Sequence, residues 1–145
     1  MKKLTILLCV MLSAAMLQAK SDEDQIRQVI QEAYVDAIHN QISIESIDKG
    51  FHPGFEMILL GRDQITISKL PIYTWRENIH QAKAAGRKPE AKTECKILFI
   101  DITGVSAVAK FELHREGTLL FTDYMSFYKF EDGWKIVSKI FHRHQ

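Results

Sequence analysis

The sequence predicts an α+β domain in which about three helices precede a long-stranded antiparallel sheet. Three observations carry this. Apolar residues recur at helical spacing between residues 26 and 38, and from Lys92 onward the period drops to two in runs of β-branched and aromatic residues. Those runs are separated only by tight glycine turns. At 145 residues the chain has room for one domain, with a core that needs no disulfide or metal.

Residues 1–19 read as a secretory signal peptide: Lys2 and Lys3 form the positive start, an apolar run follows from Leu4 to Leu17, and Ala19 offers a small residue for cleavage. The run is shorter than the roughly 20 apolar residues a bilayer-spanning helix needs. The expectation is an exported domain over residues 20–145, periplasmic or secreted. Cys9 lies inside the run, which leaves Cys95 alone, so no intrachain disulfide is expected and Cys95 reads as a small strand hydrophobe. Removing Lys2 and Lys3 lowers the basic count from 19 to 17 against 18 acidic residues. A nearly neutral domain argues against nucleic acid as a partner.

Ser21 with Asp24 forms a capping box that opens the first helix. Ile26, Val29, Ile30, Ala33, Tyr34, Ala37 and Ile38 then form its apolar face. A shorter helix is expected from Ser43 to Phe51, ending at His52-Pro53-Gly54. Residues 55–60 and 65–70 read as a hairpin around Gly61-Arg62-Asp63. After Pro71, Thr74 and Glu77 suggest a second capping box, for a helix with Trp75, Ile79 and Ala82 inward and Gly86 at its end. Four strands follow at 93–103, 105–114, 118–130 and 134–142. Their short connections make neighbours antiparallel.

This order of elements resembles the nuclear transport factor 2-like (SnoaL-like) superfamily, a cone-shaped curved sheet around helices, also described as a cystatin-like roll. Phe51-His52-Pro53-Gly54-Phe55, Asp123-Tyr124-Met125-Ser126-Phe127 and Asp132-Gly133-Trp134-Lys135-Ile136-Val137-Ser138-Lys139-Ile140 resemble its putative lumazine-binding branch. The resemblance implies a cone pocket, with lumazine as the ligand of the branch's name. The fold hosts isomerases, dehydratases, cyclases and pure binding proteins, so the activity has to come from the site.

Period-two alternation places Asp123 on one face with Leu119, Phe121, Met125 and Phe127, a carboxylate among apolar residues. A buried carboxylate needs a partner, a wet cavity or a proton. Two readings stay open: a pocket acid or base, or a structural pair with Lys139 on the next strand. His52, at an expected helix end, is either a general acid or base or a cap of that helix. Tyr34, on the buried stripe of the first helix, needs a partner for its hydroxyl; in isomerases of this fold a tyrosine there can point into the pocket.

Phe51, Phe55, Met57, Trp75, Phe111 and Phe121 would wall the cone and stack a planar ligand, or simply form core. His142 and His144 alternate onto one strand face about 6.6 Å apart, but two terminal ligands make a poor metal site. No phosphate loop, zinc pattern or serine elbow is present, and no cofactor or metal is expected.

The leading expectation is a non-catalytic domain binding a small apolar or planar molecule through Tyr34, Phe51, His52, Phe55, Met57, Trp75, Phe111, Phe121, Asp123 and Lys139, and pairing as a homodimer through the sheet. The alternatives are a cofactor-free isomerase, dehydratase or cyclase using Asp123, His52 and Tyr34, and a protein-docking module presenting Tyr124, Ser126 and Tyr128.

Overall fold

The computed structural model describes residues 20–145; the leader expected over 1–19 lies outside them. Helix α1 (Asp22–Val29) starts as the capping box requires, with the Ser21 hydroxyl accepting from the Asp24 backbone N–H at 3.1 Å. Its N-terminus is fixed to the far end of the chain. Asp22 accepts from Trp134 Nε1 at 3.0 Å and pairs with Lys129 at 2.7 Å, so the tryptophan of the Gly133-Trp134-Lys135 stretch orients the helix.

From Ile30 to His39 the helix winds as a π-helix. Extended π runs are rare, and short π segments are frequent at functional sites. The segment buries Ile30, Ala33, Tyr34, Val35, Ala37 and Ile38. The short helix expected from Ser43 to Phe51 is instead a 3₁₀ turn, Ile44–Ser46, and one α turn, α2 (Ile47–Gly50). Gly50 explains the tight fit, because a Cβ there would lie 2.2 Å from the Ala33 Cβ.

The chain passes directly into strand β1 (Phe51–Leu60), so His52-Pro53-Gly54 belongs to a strand and not to a helix end. It occupies the interval where β1 loses register with its neighbour, between Phe51 and Glu56, and a proline is tolerated there because no ladder N–H is needed. Strand β2 (Ile67–Pro71) completes the hairpin. Helix α3 (Ile72–Ala84) starts earlier than Thr74 and Glu77 suggest. Pro71 is its N-cap without a side-chain cap bond, so Thr74 falls within the first turn.

Strands β3 (Thr93–Thr103), β4 (Ser106–Arg115), β5 (Thr118–Phe130) and β6 (Gly133–Arg143) form the expected meander. The sheet order is β2-β1-β6-β5-β4-β3. Every pair is antiparallel except β1–β6, which is parallel. Tight turns dictate direction only between consecutive strands, and β1 and β6 are joined through the rest of the chain.

Register shifts interrupt the β3–β4, β4–β5 and β5–β6 ladders. Such bulges bend and twist a sheet, which here curls around the helices. In β6 the shift falls at Val137, since Ser126 pairs with Ser138 and Phe127 with Ile136. The extra residue lets Trp134 and Ile136 on one side of it, and Lys139 on the other, all reach the interior.

Candidate functional site

The centre of the cone holds a polar triad inside an aromatic shell. Tyr34 comes from the π segment, Asp123 from β5 and Lys139 from β6. The Tyr34 hydroxyl donates to Asp123 Oδ2 at 2.6 Å. Lys139 Nζ lies 3.1 Å from Asp123 Oδ1, a charge partner without an aligned hydrogen bond. Tyr34 and Asp123 are fully buried and Lys139 is 4% exposed. The pair runs diagonally across the ladder, since Asp123 is opposite Phe141 and Met125 opposite Lys139.

Aromatic rings enclose the ammonium. Its nitrogen lies 4.4 Å from the Phe141 centroid, 4.9 Å from Tyr34 and 5.7 Å from Trp75. Phe111 packs on Tyr34 at 5.8 Å, and Phe51 and Phe55 pack on Trp75 at 6.2 Å. Met57 is opposite Lys139 in the β1–β6 ladder. Phe121 adjoins Phe141 at 5.7 Å. The wall has two layers: Phe51, Phe55, Met57 and Phe111 are buried, while Trp75, Phe121 and Phe141 are half-buried. Phe51 also lines an outer cleft of about 400 Å³ with Ile47, Pro53, Ile72, Tyr73 and Arg76.

His52 stands apart. Its Nδ1 accepts from the Gly54 N–H at 3.0 Å, and its ring stacks on Phe130 at 4.7 Å. Phe130 is seven positions along β5 from Asp123, about 23 Å of extended strand. Proton exchange between Asp123 and His52 is therefore not available, and His52 leaves the site. What separates them is that His52 sits at the start of β1, in the interval between Phe51 and Glu56 that has no register with β6, and faces Phe130 beside the β5–β6 turn.

Two polar residues that the sequence reading passed over belong here. His39 packs edge-on against Tyr34 at 4.7 Å and lies 6.3 Å from Phe121. Arg115, at the end of β4, donates from Nη2 to Thr93 Oγ1 at 3.2 Å. His39 Nε2 and Arg115 Nε are both shielded from water and have no hydrogen-bond partner among the described residues. In an α-helix, five residues turn about 140° past a full turn, so His39 would leave the Tyr34 face; the i→i+5 winding restores it.

Burial sets the electrostatics. It raises the Asp123 pKa above the ordinary carboxylate range against the pull of Lys139 and Tyr34, and it lowers that of Lys139 against the pull of Asp123. Tyr34 is pushed well above its usual value, first by burial and then by Asp123. Burial, helped by the charges of Lys139 and Arg115, lowers His39 to about 3, so its imidazole is neutral. Cys95 is pushed up to about 12, mainly by burial, and is an inert thiol.

A family model described as putative lumazine-binding matches residues 21–142. The chain belongs to that family. Its architecture is that of solved nuclear transport factor 2-like proteins. One of unknown function from Shewanella baltica OS155 superposes with a TM-score of 0.68 at 23% identity, covering 86% of this chain and 94% of that one. Another, from Methylobacillus flagellatus KT, gives 0.63 at 24% identity over 88% and 97%. A domain with a cystatin-like fold from Nostoc punctiforme gives 0.62 at 18% over 88% and 80%. No curated protein matches the chain.

Two expectations follow. Lys139→Met leaves Asp123 buried without a counter-charge and is expected to cost about 3 kcal/mol or more by urea denaturation, with Asp123→Leu in addition restoring most of it. A double variant no more stable than Lys139→Met alone would contradict the pairing.

The second concerns pH. Because His39 titrates near 3 in the folded chain and at 6.5 as an ordinary histidine, its stabilising contribution is complete above pH 6.5 and is lost as pH falls toward 3. The slope is at most about 1.4 kcal/mol per pH unit. Asp123, held high, works in the opposite sense, so the difference between wild type and His39→Phe isolates the histidine: from pH 6.5 to 4.5 the wild type should lose stability relative to the variant. Parallel curves would mean that His39 titrates normally.

Proposed function

We propose that this protein is a non-catalytic small-molecule-binding domain whose ligand lies at the open end of the cone, over Lys139 and against Trp75, Phe121 and Phe141. One observation carries the reading: a charged, hydrogen-bonding floor is set inside aromatic walls of which Trp75, Phe121 and Phe141 stay half-buried. Binding pockets join apolar walls to a few convergent polar groups, and a buried lysine ringed by aromatics beside Asp123 and Tyr34 matches that pattern. The family description supports a planar bicyclic ligand of the lumazine type. The binding reading, rather than turnover, is supported by the engagement of Asp123 with Tyr34 and Lys139, which commits its carboxylate to partners within the chain.

The reading extends to where and how the domain works. The leader-like residues 1–19 support export. The outer sheet face supports a homodimer: Phe99, Val108, Tyr124, Tyr128 and Ile140 are 41–52% exposed, an apolar patch suited to pairing with a second copy. Calorimetric titration with lumazine should show one site per chain in the micromolar range, weakened about tenfold or more by Phe121→Ala and unchanged by Phe99→Ala. Absence of binding, or equal loss in the two variants, would remove the site from the cone. Light scattering should give twice the chain mass, halved by Tyr128→Asp; a wild-type monomer would end the dimer reading.

A further inference from the structure

The charges around His39, Arg115 and Phe121 do not balance, and the imbalance says what kind of molecule fits. Asp123 is the buried carboxylate among the described residues, and Lys139 already neutralises it. Arg115 remains. No carboxylate of the described residues lies within 4.0 Å of its guanidinium, and its buried Nε has no acceptor.

His39 is tied to Arg115 through a specific clasp. Asn40, the next residue, donates to the Thr93 carbonyl at 3.1 Å and accepts from the Thr93 N–H at 2.8 Å. Thr93 is in turn the ladder partner of Arg115 and takes its Nη2 hydrogen bond. The end of the π segment is thereby tied to the strand pair carrying the arginine. Both residues keep a buried nitrogen unbonded: Arg115 Nε is a donor, and His39 Nε2 is one in the corresponding tautomer. Phe121, 6.3 Å from His39, carries a second guanidinium, Arg143, at 5.3 Å from its ring.

We propose that the full ligand of this site is an aromatic anion, a planar ring system of the kind lumazine represents that also bears a carboxylate, with the carboxylate held by Arg115 and His39 and the ring against Phe121. A carboxylate supplies the acceptors that the two nitrogens lack and the negative charge that the arginine lacks, and guanidinium–carboxylate contacts are among the strongest hydrogen bonds proteins make. A neutral carbonyl supplies only the first. A cleft of about 400 Å³ on the Asn40 side supports the same polarity: Lys83, Lys88 and Lys92 line it with Asn40, Gln41, Ile42, Pro89 and Ala91, and no carboxylate is among them.

This inference rests on the binding function proposed above, and the test separates the two. The purified protein is titrated at pH 7.5 with 2-naphthoate and with 2-naphthamide, which share one ring system and differ in charge. The expected result is naphthoate binding about tenfold or more tightly. Arg115→Gln should reduce that preference below about threefold with naphthamide unaffected, and Arg115→Lys should keep part of it. Equal binding of the two probes to wild type would overturn the anion inference and leave the binding function standing. If neither bound, the anion inference would fall, and the lumazine titration would decide the binding function separately. The wild-type ratio decides even where Arg115→Gln does not fold.

Discussion

The interior of this protein depends on one buried ion pair. Transferring the Lys139 ammonium or the Asp123 carboxylate alone into an aromatic core would cost several kcal/mol, and their mutual attraction offsets this only with good geometry and further hydrogen bonds. Both conditions are met in part. The Tyr34 hydroxyl satisfies one carboxylate oxygen, three ring faces solvate the ammonium, and the other oxygen has charge but no aligned donor. A core intended only for stability is better served by apolar residues of the same volume, and that is the physical ground for the binding role proposed for the pair.

Two irregularities of backbone make the arrangement possible. The shift at Val137 changes the phase of β6, so that Lys139 joins Trp134 and Ile136 inside a strand whose strict alternation would separate them. The π winding from Ile30 to His39 brings both Tyr34 and His39 to the sheet. Remove either and the polar floor loses a member while the apolar core survives. The same logic places the β1 irregularity at His52-Pro53-Gly54, where it carries His52 away to Phe130.

Much of the architecture was legible because it rests on patterns with a fixed period. Strands β3 to β6 and their turns are within one or two residues of the alternation read from the chain, and Ser21 caps α1 as its spacing requires. Asp123 was legible for the same reason: a carboxylate in phase with Phe121, Met125 and Phe127 must face inward, and Lys139 was within reach on the next strand. His39 and Arg115 were not, because nothing in a 3.6-residue period predicts π winding and nothing local ties the end of β4 to Asn40. His52 was misplaced because Pro53-Gly54 signals a helix stop and a strand irregularity equally well. The parallel β1–β6 pair joins segments too distant for turn length to dictate direction.

A nitrogen–proton correlation spectrum recorded while lumazine is added tests the central claim most directly, since it locates the ligand without altering a residue. Binding over the ion pair predicts that the largest shifts cluster at Tyr34, His39, Phe121, Asp123 and Lys139 and at the Trp75 side chain, with Phe99, Tyr124 and Tyr128 on the outer face still. Shifts confined to that outer face, or to the cleft around Tyr73 and Arg76, would contradict it and return the buried pair to a purely structural role.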